Sequence, residues 1–156
     1  MIVFIPTAGL GERLKDKTKY LNKSLLDLNN KPIISHIIEK FPLNTKFVIA
    51  LGYKGNIVKE YINIAHKNRN IKFVNVRPFE GKKSGLGLTL LKSSKFLQNP
   101  FLFISCDALI KKFNISQNYN WVGYSNKSAG TNYRSLNIKK KKIKKINKKK
   151  KIKLTY

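Results

Sequence analysis

Ile2-Val3-Phe4-Ile5-Pro6-Thr7-Ala8-Gly9-Leu10-Gly11 decides the fold of this chain. Ile2 to Pro6 is an unbroken apolar run, too short for a helix and halted by small residues and glycines. Such a run reads as a strand buried on both faces, of the kind found in parallel sheets, feeding a glycine loop. The pattern recurs downstream. Pro32 suits the first turn of a helix reaching about Phe41, with Ile33, Ile34, Ile37, Ile38 and Phe41 on one apolar face. Phe47 to Leu51 is a second buried strand, halted by Gly52. A helix from about Asn56 to His66 groups Ile57, Tyr61, Ile64 and Ala65, and Ile71 to Val76 gives a third strand. After a loop from Arg77 to Ser84 come a helix over about Gly85 to Leu97 and a fourth strand, Phe101 to Cys106. Strands alternating with helices in this way predict an α/β fold: a Rossmann-like three-layer α/β/α sandwich with a mostly parallel sheet and right-handed crossovers.

The last third differs in character. Trp121 to Ser125 and Tyr133 to Ile138 read as further strands, after which Ile143, Ile146, Ile152 and Leu154 are the only apolar points in a lysine-dominated stretch. Lys139 to Lys153 holds 11 lysines in fifteen positions, which suits an exposed edge hairpin or a disordered tail over residues 138–156. The formal charge of +26 follows this division: residues 1–110 carry +11 and residues 111–156 carry +15 without a single acid. A nucleic-acid surface is one explanation. Against it, Lys, Asn and Ile supply 64 of 156 residues while Arg appears four times, which matches an A/T-rich coding background better than a phosphate-reading surface built on Arg. Cys106 is the only cysteine, which excludes an internal disulfide or a cysteine-cluster zinc site. No charged start precedes a long apolar run and no stretch approaches the length of a membrane span, so the expectation is a soluble, cytoplasmic protein without a membrane partner.

Ligands of open parallel sheets bind at the carboxyl ends of the strands, and the candidate chemistry lies there. Ala8, Gly9 and Gly11 follow the first strand, where glycines let backbone N–H groups turn toward a phosphate, and Arg13 offers a permanently charged fork to the same group. The spacing matches neither a P-loop, since no Gly-Lys-Ser/Thr follows, nor the dinucleotide fingerprint, which needs a third glycine near Lys15. Asp107 ends the fourth strand and is the only acid after Glu80; a carboxylate at a sheet rim suits Mg²⁺ shared with substrate phosphates, or simply caps a turn. Lys23, in Leu21-Asn22-Lys23-Ser24-Leu25, is placed to neutralise charge on a reacting phosphate, though any one of 29 lysines is more often a solvated group. Gly85 and Gly87 open the third helix, where the main chain can approach a flat base.

Taken in order, these residues resemble the sugar-phosphate nucleotidyltransferases. The resemblance rests on Ile5-Pro6-Thr7-Ala8-Gly9-Leu10-Gly11-Glu12-Arg13-Leu14, Lys23, Lys31-Pro32-Ile33-Ile34, Ala50-Leu51-Gly52-Tyr53, Ser84-Gly85-Leu86-Gly87 and Phe103-Ile104-Ser105-Cys106-Asp107-Ala108-Leu109. Tyr133-Arg134-Ser135-Leu136, followed by Ile143 and Ile146, resembles the strand pair on the acceptor side. The resemblance implies transfer of a nucleoside monophosphate from a nucleoside triphosphate to a sugar 1-phosphate or similar small phosphorylated acceptor, with release of pyrophosphate, in cell-surface polysaccharide synthesis. It implies that Ala8, Gly9, Gly11 and Gly85 bind nucleotide, that Arg13 and Lys23 are catalytic, and that Asp107 holds Mg²⁺. Two departures stand out. Asn22 replaces the usual proline before the lysine, and no carboxylate side chain follows Asp107 where the family supplies a second metal-binding aspartate. Residues 1–137 are therefore expected to form the N-terminal two thirds of the family fold, in a C-terminally truncated or catalytically inactive nucleotide-binding form if the missing ligand is essential.

Overall fold

The structure is a computed structural model that describes residues 1–110, 120, 122–124, 135–140 and 142–147. It divides into two compact units, Met1–Gln117 and Asn118–Tyr156.

In the first unit, β1 (Ile2–Pro6), β4 (Lys46–Leu51), β5 (Asn70–Asn75) and β6 (Phe101–Phe103) form a four-stranded sheet of order β5-β4-β1-β6. All three pairings are parallel, with Ile2 opposite both Lys46 and Phe101, and Lys46 opposite Asn70. Side chains alternate across the strands, so odd and even residues serve different cores. Val3, Ile5, Phe47, Ile49 and Leu51 face α1 (Ile33–Ile38) and α2 (Gly55–Ala65), meeting Ile34, Ile37, Ile38, Val58 and Ile62. Phe4, Val48, Ala50 and Val74 face the other way, toward Leu88 and Leu90 of α3 (Leu86–Ser93). Helices therefore cover both faces, which is why β1 and β4 are apolar at consecutive positions. The chain steps outward from β1 through β4 to β5, then crosses back to β6 on the far side of β1. That reversal at β1 and β6 is the switch point where such sheets open a crevice.

Several boundaries and one face differ from the sequence expectation. Helix α1 ends at Ile38 and passes through a turn to the buried Phe41. Helix α3 gives way to a 3₁₀ turn at Ser94–Phe96. The sequence grouped Ile57, Ile64 and Ala65 as the inner face of α2, but Ile57 and Ile64 are 40% and 73% exposed and Ala65 is exposed, while Gly55, Val58 and Ile62 are buried. The inner stripe runs along 55, 58 and 62, one position away from the pattern that isoleucine abundance suggested. Ser35 of α1 ties the two helices together, its hydroxyl lying 2.7 Å from Tyr61 Oη and 2.8 Å from Nε2 of the buried His66. The short antiparallel ribbon β2 (Asp27–Leu28) and β3 (Lys31–Pro32) was not anticipated; its two-residue turn places Asn29 and Asn30 at φ 52° and 59°, a conformation that asparagine tolerates.

In the second unit, β7 (Leu136–Lys139) and β8 (Lys142–Ile146) form an antiparallel hairpin with an irregularity between Asn137 and Ile138. Lys139, Lys140, Lys142, Lys144 and Lys145 are all exposed. Of the strand expected over Trp121 to Ser125, residues 122–124 are not in a strand, and Trp121 and Ser125 lie outside the described residues, as do Tyr133 and Arg134. Among the described residues, no helix is long and apolar enough to cross a membrane.

Candidate active site

The loop after β1 is held by its own backbone. Thr7 donates twice to the Ala50 carbonyl, from N at 2.9 Å and from Oγ1 at 2.7 Å, which extends the β1–β4 pairing past the strand end. Ala8 turns its side chain inward, 4% exposed, and its carbonyl accepts from Tyr53 N at 3.0 Å. The fit against the neighbouring turn is close enough to require glycine: a Cβ on Gly52 would sit 2.6 Å from the Ala8 carbonyl oxygen. Gly9 is exposed and its missing Cβ would meet nothing within 4 Å, so its peptide is open to an incoming group. Gly11 has φ +74°, and a side chain there would lie 2.9 Å from Thr18 Cγ2 and 3.4 Å from Lys23 Cβ. The glycine loop thus abuts the turn carrying Lys23.

Glu12–Thr18 follows as a kinked 3₁₀ segment, closed by Thr18 Oγ1 donating to the carbonyls of Gly11 and Lys15 at 3.2 and 3.1 Å. Arg13 projects from this segment, exposed and in no ion pair among the described residues. Tyr53 Oη braces the end of the segment, 2.9 Å from both the Thr18 and Lys19 carbonyls. The ring of Tyr53 packs edge-on to Phe79, 6.4 Å between centroids, bringing the Arg77 to Ser84 loop to the same corner.

Lys23 and Asp107 are 84 positions apart in the chain and in contact in space: Lys23 Nζ lies 3.1 Å from Asp107 Oδ2. The adjacency of β1 and β6 brings them together. Strand β6 is shorter than the apolar run suggested. Its ladder continues by one bond, Ile104 N to Phe4 O at 3.0 Å, after which Ser105 opens a turn closed by Ala108 N to Ser105 O at 2.9 Å. Asp107 sits in that turn, and Ser105 Oγ donates to its other oxygen, Oδ1. Burial pushes the Asp107 carboxyl up, but the Ser105 hydroxyl and the Lys23 ammonium outweigh it and hold the group below its ordinary range, so it is ionised at neutral pH. Next to it, burial pushes the Cys106 thiol up to about 11 despite the pull of Lys23, which leaves it a packing group rather than a nucleophile. The side chains of Lys23 and Asp107 are 19% and 41% exposed, so their pair adds little to stability and is accessible to ligand.

Gly85 stands apart, at the start of α3 on the opposite sheet face, with φ +138° and ψ 178°, a region open essentially to glycine alone. Its carbonyl accepts from Thr89 N and Oγ1 at 3.1 and 3.0 Å. Of the residues the sequence singled out, Gly11, Lys23 and Asp107 are drawn together, Ala8 and Gly9 line the same loop, Arg13 reaches outward from it, and Gly85 marks a separate rim.

No protein-family model matches the chain. Over 112 residues, 71% of its length, it is 29% identical to the bifunctional protein GlmU of Methanococcus maripaludis, 26% of which is covered. Over 63 residues, 39% of its length, it is 36% identical to the glucose-1-phosphate cytidylyltransferase of Salmonella typhimurium, 24% of which is covered. The chain is similar to sugar-phosphate nucleotidyltransferases. Its fold agrees: a Bacillus anthracis protein solved with sucrose and assigned as a glucose-1-phosphate thymidylyltransferase superposes with a TM-score of 0.67 at 17% identity, covering 96% of this chain and 65% of that one. The chain spans about a quarter of the length of these two curated relatives.

Two members of this corner escaped the sequence reading. Ser105 had a usable signal, since a hydroxyl two residues before an acid at a strand end is placed to donate to it. Asn22 was visible only as a departure from proline, although an Asn directly before Lys-Ser-Leu also fits a helix N-cap. It fills that position here, its side chain accepting from Ser24 N at 3.0 Å.

Proposed function

We propose that the chain provides the nucleotide-binding and reacting-phosphate side of a nucleotidyltransferase of the EC 2.7.7 type. It would move a nucleoside monophosphate from a nucleoside triphosphate to a sugar 1-phosphate or a similar small phosphorylated acceptor, supplying cell-surface polysaccharide synthesis from the cytoplasm. The observation that carries this reading is the Lys23–Asp107 pair, 3.1 Å apart at the β1/β6 switch point and bordered by the loop at Gly11.

In the reaction, an acceptor phosphate oxygen attacks the α-phosphorus in line, the bond to the β-phosphate oxygen breaks, and pyrophosphate leaves. The protein's task is positioning and charge stabilisation. The open peptide at Gly9 and the left-handed turn at Gly11 present backbone N–H groups to the triphosphate, Arg13 closes on it from the 3₁₀ segment, and Gly85 leaves room for the base. Lys23 turns from Asp107 to the phosphate undergoing transfer. Asp107 fits Mg²⁺ by the chemistry of its donors: an ionised, accessible carboxylate to which phosphate oxygens and water add the remaining ligands. Bound there, the ion would screen the charge of the phosphate oxygens.

The test is exchange of radiolabelled pyrophosphate into nucleoside triphosphate with Mg²⁺ and an acceptor panel. Exchange is expected with one base and one acceptor class; its absence for every combination, from folded protein, overturns the reading. One observation favours a second outcome, nucleotide binding without turnover. Among the described residues, no group of three or more Asp, Glu, His or Cys is arranged to hold a metal. Calorimetric nucleotide binding without exchange would support it.

A further inference from the structure

Asn22 is a fully buried polar side chain beside Lys23, and every hydrogen-bonding position it has is used. Its Nδ2 donates to the Thr7 carbonyl at 2.9 Å and to the Tyr53 carbonyl at 2.6 Å. Its Oδ1 accepts from Ser24 N at 3.0 Å and from Ser24 Oγ at 2.8 Å. The four partners belong to three segments: the loop after β1, the turn after β4, and the 3₁₀ turn Lys23–Leu25. Among the described residues, no other side chain ties the Lys23 turn by hydrogen bonds to both strand-end loops. The backbone of Asn22 has φ −69° and ψ 142°, so a proline here would meet its own preferred φ while removing all four side-chain bonds.

We propose that Asn22 is a positioning residue for Lys23. Proline stiffens a chain locally through its ring; Asn22 instead fastens the Lys23 turn to the two loops that shape the nucleotide side of the site. This fixes the base of the lysine side chain, so that its ammonium travels only between Asp107 and a phosphate beside it. A buried amide with both donors on carbonyls is costly to disturb, because each freed carbonyl remains out of water. The inference rests on the reading that Lys23 meets the reacting phosphate.

Two variants separate the parts. Asn22→Ser keeps a good N-cap for Ser24 but cannot reach the Thr7 and Tyr53 carbonyls. Asn22→Pro keeps φ and removes every tie. The first measurement needs no activity: competitive acetylation of lysines with acetic anhydride in the ligand-free protein, read peptide by peptide by mass spectrometry. In both variants Lys23 is expected to react several-fold faster while lysines distant from the corner, such as Lys59 and Lys92, are unchanged. The second measurement is nucleotidyl transfer. Turnover is expected to fall between about tenfold and a hundredfold with a smaller change in nucleotide KM, and Asn22→Ser added to Lys23→Ala should cost nothing further. Unchanged Lys23 reactivity, or acceleration of all lysines together, overturns the positioning role. Faster Lys23 labelling with no turnover in the unmodified protein upholds the positioning role and removes the nucleotidyltransfer reading instead.

Discussion

The corner at the ends of β1, β4 and β6 and the β7–β8 hairpin use the same residue, lysine, to opposite effect. In the hairpin, five described lysines are exposed, and none of them is in an ion pair among the described residues. At the corner a single lysine is 19% exposed, joined to a carboxylate at 3.1 Å, and carried on a turn that a buried amide secures. The difference teaches that net charge says little about where chemistry occurs. A cation becomes a site when its alternatives are removed by packing and hydrogen bonding, and the hairpin removes none of them.

The largest effect that sharpens this contrast should come from the corner. Lys23→Ala or Asp107→Ala is expected to lower pyrophosphate exchange by about a hundredfold, equivalent to about 2.7 kcal/mol of transition-state stabilisation. Replacing Lys142, Lys144 and Lys145 together by Gln should leave exchange within about twofold. A comparable loss from the hairpin triple would break the comparison. Next in size is Gly52→Ala, which forces a methyl to 2.6 Å from the Ala8 carbonyl oxygen. Overpacking of this kind costs about 1–3 kcal/mol and should appear as a lower urea midpoint.

A smaller effect concerns pH. Burial lowers the pKa of His66 from its ordinary 6.5; Glu39 pulls it up, and Arg69 and Lys31 push it down. A lowered pKa means that the unfolded chain binds the proton first, so stability is full above pH 6.5 and declines as the pH falls from there to the folded-state pKa. Denaturation midpoints between pH 7 and 5 should therefore fall less in His66→Gln than in the unmodified protein; parallel profiles would show that His66 is not the group responsible. The smallest effect belongs to the outer face of α2. Ile64→Lys, at a residue 73% exposed, should change stability by no more than about 0.5 kcal/mol, a check on the corrected face of that helix.

The sheet was legible because β1 and β4 are covered on both sides, which forces apolar residues at consecutive positions. Gly11, Lys23 and Asp107 were legible because strand ends in such sheets converge. The face of α2 was not, because isoleucine fills 18 positions and periodicity loses contrast when apolar residues also occur outside. The β2–β3 ribbon depends on Asn29 and Asn30 adopting positive φ, which composition permits but does not announce. Asn22 was hardest of all. Its role lies in carbonyls of residues 15 and 31 positions away, and nothing in a linear pattern marks a side chain whose partners are backbone atoms.

Cys106 adds a last consequence. The chain's single thiol is fully enclosed, titrates near 11, and precedes Asp107 directly. An alkylating reagent at neutral pH meets neither a thiolate nor an open path while the turn after β6 is closed. The rate at which Cys106 is modified therefore clocks the opening of that turn, and ligands that close the corner should slow the clock without touching the sulfur.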